Sequence, residues 1–268
     1  MIQTAAHFST AERTISMIID SHLHLPVDFT DFPSKGNALI DELRRNGVSK
    51  GIVIADSELE SVIGSVRDCA ELFRGKDMIK VVAGISPFIS FHTQLALCRE
   101  LLESSDIIGL KLYTGHESFF CTDEVLTPVY DLAAEFGVPV LFHTGWDNSQ
   151  YAAPAKMKEL AQRRPQNIFV YCHCFYPDLQ QCFDTLGGCG NVYFDTSSVA
   201  DDSAIYPQIK KALETAIAAM PQRFIFGSDF GSCSQKAHLD FAENLDITPQ
   251  QRELFMCGNA LRVYNISP

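Results

Sequence analysis

Several features that would mark other protein classes are missing from this 268-residue chain. No apolar run approaches the ~18 residues that a membrane span requires, and residues 1–16, MIQTAAHFSTAERTIS, lack the continuous apolar core of a secretory signal. Positive charge is scarce: 21 Lys and Arg against 33 Asp and Glu leave a net charge of −12, and the basic residues form no cluster. This excludes the attraction on which nucleic-acid and anionic-membrane binding rest. A disulfide framework is also lacking, since the nine cysteines are odd in number and scattered through apolar segments. Free, buried thiols are expected. Cys172-x-Cys174 has no second Cys or His pair at zinc-finger distance. Together these absences predict a cytoplasmic protein whose partner is a small molecule.

What the chain does have is 46% hydrophobic residues, arranged as short β-branched runs that alternate with longer amphipathic stretches, the pattern of βα units. Strands are expected at 17–25, 49–55, 79–87, 107–114, 138–145, 167–174, 191–198 and 223–230, with starts 24 to 32 residues apart. Helices fill the gaps, for instance at 37–47, 57–76, 123–137 and 203–220, with Gly47 and Gly137 placed as C-terminal caps and Asp123 as an N-cap. Eight such units in a chain near the ~250 residues of a (β/α)8 barrel favour that closed fold over an open doubly wound sheet. No G-x-G-x-x-G opens the first βα loop, which favours it further. One (β/α)8 TIM-barrel catalytic domain is expected over 17–268, with residues 1–16 as an N-terminal arm and Met17 as an alternative start.

The apolar strands end in polar residues, and in such a barrel the C-terminal strand ends converge on one mouth. The first contributes His22 and His24, the fourth Lys111, the fifth His143, the sixth His173 and the eighth Asp229. Alternation puts His22 and His24 on one face, roughly 6.6 Å apart, close enough to share an ion. Asp20 has the same parity and suits a hydrogen bond that fixes an imidazole tautomer. With His143 and Asp229 the set offers three nitrogens and a carboxylate, which suits Zn²⁺ and also Mn²⁺, Fe²⁺ or Co²⁺, and leaves room for water. Buried among apolar neighbours, Lys111 needs a carboxylate, a substrate anion or a chemical modification. His116, Tyr113 and Trp146 stand close enough to these strand ends to line a pocket. Phe29, Phe32, Phe88, Phe91, Phe119 and Phe120 in the loops suggest an aromatic or cyclic substrate. His7, His92 and His238 read as structural, as do Asn259 and Arg262 in the closing segment 258–266.

The segments DSHLH (20–24), GLKLY (109–113), VLFHTG (140–145), YCHC (171–174), FGSDFG (226–231) and GNALRVYNI (258–266) resemble the amidohydrolase superfamily. Within it they are similar to the amidohydrolase-related branch of TIM-barrel metal-dependent hydrolases, which also holds aminocarboxymuconate semialdehyde decarboxylase-like enzymes. The resemblance spans Met17 to Ile266. It implies that His22, His24, His143 and Asp229 bind one divalent metal, usually zinc. His173 would stay off the metal and serve with Asp229 in proton transfer. In two-metal relatives the strand-four lysine is carboxylated, so Lys111 and His173 are candidates for a second ion. The implied activity is hydrolysis of a C–N, ester or lactone bond by a metal-activated water; the alternative is non-oxidative decarboxylation of a small unsaturated or aromatic acid. Homodimers are common among such relatives and among soluble proteins generally.

Overall fold

Eight parallel strands carry the fold, with inward and outward residues alternating along all of them but the first. They are β1 (Ile19–Leu23), β2 (Lys50–Ile54), β3 (Ile79–Ile85), β4 (Leu110–Leu112), β5 (Val140–Phe142), β6 (Phe169–Cys172), β7 (Val192–Asp195) and β8 (Phe224–Ile225). This computed structural model describes residues 17–145 and 149–268. The arm expected at 1–16 and the pocket residue Trp146 lie outside the described residues.

Each strand pairs with the next in chain order, β1 through β8. The segment after β8 then closes the ring on β1: Ser21 N–H donates to Phe226 O at 3.0 Å, and His24 N–H to Phe230 O at 2.7 Å. The expected (β/α)8 barrel is the fold. Ile19, Ile52, Ile54, Val82, Leu141, Val170, Cys172 and Ile225 fill its interior, with Tyr264 of the closing helix below them. The opposite parity, including Val53, Ala83, Leu112, Phe142, Phe169 and Phe194, packs outward against the helices. Burying both faces is what makes these strands near-continuous apolar runs.

Local chemistry trims the expected elements. The helix expected from residue 57 starts at Val66, because Ser65 and Asp68 form a capping box and Gly64 precedes them at φ 87°. Asp56 instead ties down the intervening loop by accepting from Glu58 N–H and the Ser61 hydroxyl. Gly137 ends the helix Thr127–Phe136 in the left-handed conformation, as a C-cap glycine should. Asp123 does precede a helical turn, but its side chain accepts from Phe120 N–H rather than capping that turn. Asn259 holds the barrel floor by donating to Pro221 O and Phe224 O. A cavity of about 590 Å³ opens near Lys50, Lys80, Val138 and Tyr264, at the end of the barrel opposite the histidines. Among the described residues no helix is long and apolar enough to cross a membrane.

Candidate metal centre

The first strand does not keep a simple alternation. A register shift lies between Asp20 and Leu23, so Ile19 faces the interior, Asp20 faces out, and His22 faces in again. Asp20 therefore touches no imidazole, contrary to the parity argument. Its carboxylate accepts from Ser228 N–H at 2.9 Å, the Ser228 hydroxyl at 2.6 Å and Gln235 Nε2 at 2.7 Å. Burial raises it to about 7 despite those donors. It anchors β1 to the segment after β8, a structural role.

The bulge aims His22 and His24 at Asp229. His22 Nε2 lies 3.5 Å and His24 Nε2 3.3 Å from Asp229 Oδ1, and the three residues offer ligand atoms that all lie within 4.8 Å of one another. Their far sides decide the tautomers. His22 Nδ1 donates to Asp195 Oδ2 at 2.5 Å, and His24 Nδ1 to the carbonyl of Ile54 at 3.1 Å. Ionised carboxylates and carbonyls only accept, so the protons sit on Nδ1 and both Nε2 lone pairs face a carboxylate oxygen. Asp229 Oδ1 is buried and has no hydrogen-bond partner among the described residues. Two lone pairs aimed at an unpartnered carboxylate oxygen need a cation between them. A divalent ion fits this donor set.

His173 and His143 stand beside this trio. The His173 ring lies 4.9 Å from that of His22 and 4.9 Å from that of His143, centroid to centroid. His173 Nδ1 donates to the Ser197 carbonyl at 3.2 Å, which leaves its Nε2 free as well. Burial is the main cause that pushes its imidazole down to about 3. Burial also lowers His22 and His143, and the Lys111 charge adds to both. His22, His143 and His173 rest neutral, as ligands and bases must. At Asp195 burial opposes the charge but is outweighed, first by His22.

The other expected site residues are placed as follows. His116 is exposed at the mouth and its ring stacks on His143 at 3.8 Å. Tyr113 donates its hydroxyl to Ala55 O at 3.2 Å, with its ring 6.4 Å from His116. Lys111 is 1% exposed. Among the described residues it meets no carboxylate; its ammonium donates to Cys172 Sγ at 3.1 Å, a thiol that burial pushes up to about 12. Phe119 is buried in the outer core, Phe120 packs on Tyr151 at 4.8 Å, and Phe29 and Phe88 stand exposed on the rim. His238 is structural: its Nε2 accepts from Ala200 N–H.

Asp195, Ser197 and Ser198 of β7 went unread in the sequence, although VYFD ends in an acid just as its neighbours end in polar residues. Ser198 donates to Asp229 Oδ2 at 2.6 Å. Backbone strain gathers at the same strand ends. His173, Cys174 and Phe175 are consecutive left-handed residues at φ 61°, 50° and 60°, and Ser198 and Asp229 adopt φ 61° and 64°. Each costs roughly 1–2 kcal/mol, a concentration of strain characteristic of functional loops. Gly227 shows how tightly the mouth is packed: a Cβ there would sit 2.8 Å from His22 Cβ and closer still to Asp195 Oδ1. Gly227→Ala is expected to cost about 1–3 kcal/mol in urea unfolding and to weaken divalent-ion affinity by at least about tenfold. Unchanged values for both would show that the His22–Asp195 contact is not held rigidly.

The amidohydrolase family model matches residues 19–266. No curated protein sequence matches the chain. Among solved structures, an uncharacterised TIM-barrel protein from Bordetella bronchiseptica superposes with a TM-score of 0.74 at 21% identity, covering 92% of this chain and 98% of that one. A 5-carboxyvanillate decarboxylase from Sphingomonas paucimobilis gives 0.69 at 14% identity, covering 94% and 99%. Another, from Novosphingobium aromaticivorans and complexed with manganese and 4-hydroxy-3-methoxy-5-nitrobenzoic acid, gives 0.67 at 11% identity, covering 93% and 96%. The match from β1 to the closing helix, over a barrel whose mouth is built for a divalent cation, shows that the chain belongs to the amidohydrolase family of enzymes.

Proposed function

We propose that this enzyme is a metal-dependent, non-oxidative decarboxylase of a small aromatic or unsaturated carboxylic acid, with hydrolysis second. The observation that carries this order is the full-length likeness to decarboxylases of substituted benzoates. The rim supports it: among the described residues the exposed large apolar side chains Val27, Phe29, Leu59, Val62, Phe88 and Val125 all lie in the segments that follow β1 to β4. That half of the mouth presents an apolar lip to an aromatic ring.

His22, His24, His143 and Asp229 would hold one ion, Zn²⁺ or the Mn²⁺ that the Novosphingobium complex contains. When bound, the ion supplies positive charge against which substrate oxygens orient. His173 presents a neutral Nε2 to the same space. That nitrogen can take a proton from a substrate hydroxyl and return it to the ring carbon that bears the carboxylate. A C–H bond then forms, the C–C bond breaks, CO₂ leaves, and the electron pair restores the ring. Lys111, committed to Cys172, acts on this site by its charge rather than as a free carboxylate-binding arm. We further propose one barrel domain over 17–268 and a small molecule as the sole reacting partner.

The reaction class is tested by incubating the Mn²⁺- or Zn²⁺-loaded enzyme with a panel of hydroxylated benzoates and vanillates in D₂O. The expected result is CO₂ release and one deuteron at the vacated ring carbon. No CO₂ from any of them, together with ¹⁸O uptake from labelled water into the product of an ester, lactone or amide, would favour the hydrolytic reading instead.

A further inference from the structure

The groups that orient His22 and His173 come from the end of β7. That end, Asp195-Thr196-Ser197-Ser198, is buried throughout. Asp195 serves His22, and Ser198 serves Asp229. Ser197 is different because it reaches two rings at once. Its hydroxyl oxygen lies 3.0 Å from Nδ1 of His22 and 2.9 Å from Nδ1 of His173. Its carbonyl is a second acceptor for His173, at 3.2 Å, and its own N–H donates to Asp195 Oδ1 at 2.9 Å.

We propose that Ser197 is a positioning residue that ties the metal-directed ring of His22 to the substrate-directed ring of His173 through one shared hydroxyl oxygen. A serine hydroxyl has two acceptor lone pairs, one for each Nδ1–H. The His22 proton is shared between Asp195 and Ser197, and the His173 proton between the two oxygens of Ser197. With both protons held on Nδ1, both Nε2 atoms face the mouth, and the one atom common to both rings, 4.9 Å apart at 44°, is the Ser197 hydroxyl oxygen. Hydroxyl, carboxylate and imidazoles then form one connected network, whose members act together when one is removed. Loss of that oxygen leaves each Nδ1 proton a single acceptor, Asp195 Oδ2 for His22 and the Ser197 carbonyl for His173, and so loosens both rings together. Loss of the Ser198 hydroxyl, by contrast, reaches the site through Asp229 and touches neither ring.

This inference rests on the roles given above to His22 and His173, but its test needs no substrate. Two quantities are measured on the wild type, Ser197→Ala and Ser198→Ala: ¹⁵N imidazole spectra of the metal-free protein at neutral pH, and Mn²⁺ affinity by titration. The wild type is expected to carry protons on Nδ1 of both His22 and His173. In Ser197→Ala the His173 signals should move toward a mixture of tautomers while Mn²⁺ affinity falls by about tenfold; in Ser198→Ala the His173 signals should stay. A proton on Nε2 of either ring in the wild type overturns the proposal. So does a Ser197→Ala variant in which neither quantity moves, or only one. If Ser197→Ala does not fold, the wild-type spectrum decides by itself. Should the enzyme prove hydrolytic while these results hold, the reaction class falls and Ser197 stands.

Discussion

Asp229→Asn is expected to lower turnover by about 10³-fold, and to do so without lowering the stability of the metal-free protein. In the metal-free site the Asp229 carboxylate has only lone pairs to set against Nε2 of His22 and His24, 3.5 Å and 3.3 Å away. An asparagine amide can donate to one of those nitrogens and still accept from Ser198, which holds the other oxygen at 2.6 Å. The metal-free variant should therefore melt at or above the wild-type temperature. Addition of Mn²⁺ should reverse that order, because the carboxylate charge that complements the ion is gone. Thermal melts with and without Mn²⁺ check the crossing, and single-turnover kinetics on a verified substrate check the rate. Wild-type turnover in Asp229→Asn would remove the aspartate from the chemistry.

His173→Gln separates proton transfer from ion binding. The ring lies beside the His22, His24 and Asp229 trio rather than within it. Turnover should fall about 10²- to 10⁴-fold, while Mn²⁺ affinity stays within about tenfold of wild type. The proposed role is to carry the proton in the chemical step rather than to bind substrate, so the loss should appear in kcat rather than in KM. If ion affinity instead collapses as far as in His24→Ala, His173 is a ligand, and a site for a second ion becomes the better description.

Much of this arrangement was legible in the sequence because parallel strands obey a strict period. Apolar runs spaced like βα units revealed eight strands, and the polar residues that end them pointed at one mouth. The H-x-H of β1 was readable for the same reason, since residues two apart share a face. What escaped was whatever breaks the period. Nothing in IDSHL marks the register shift between Asp20 and Leu23, so Asp20 was put on the wrong face and Asp195, which does hold His22, was passed over. The partner of Lys111, a thiol 61 positions away, could not be found by any local pattern. The late start of the helix at Val66 was signalled by Gly64-Ser65 and Asp68, but an amphipathic stretch running through the loop masked it. β8 shrank to Phe224–Ile225 because Ser228 and Asp229 turn from the ladder toward Asp20 and the mouth.

Elemental analysis of divalent metal per chain, on protein reconstituted with and without bicarbonate, tests the central claim most directly. Lys111 is engaged with Cys172 and the ligand atoms of His22, His24 and Asp229 lie within 4.8 Å of one another, so about one equivalent is expected in both preparations, falling to near zero in a His22→Ala, His24→Ala double variant. Failure of the reconstituted wild type to retain any divalent ion would contradict the account. So would two equivalents that depend on bicarbonate.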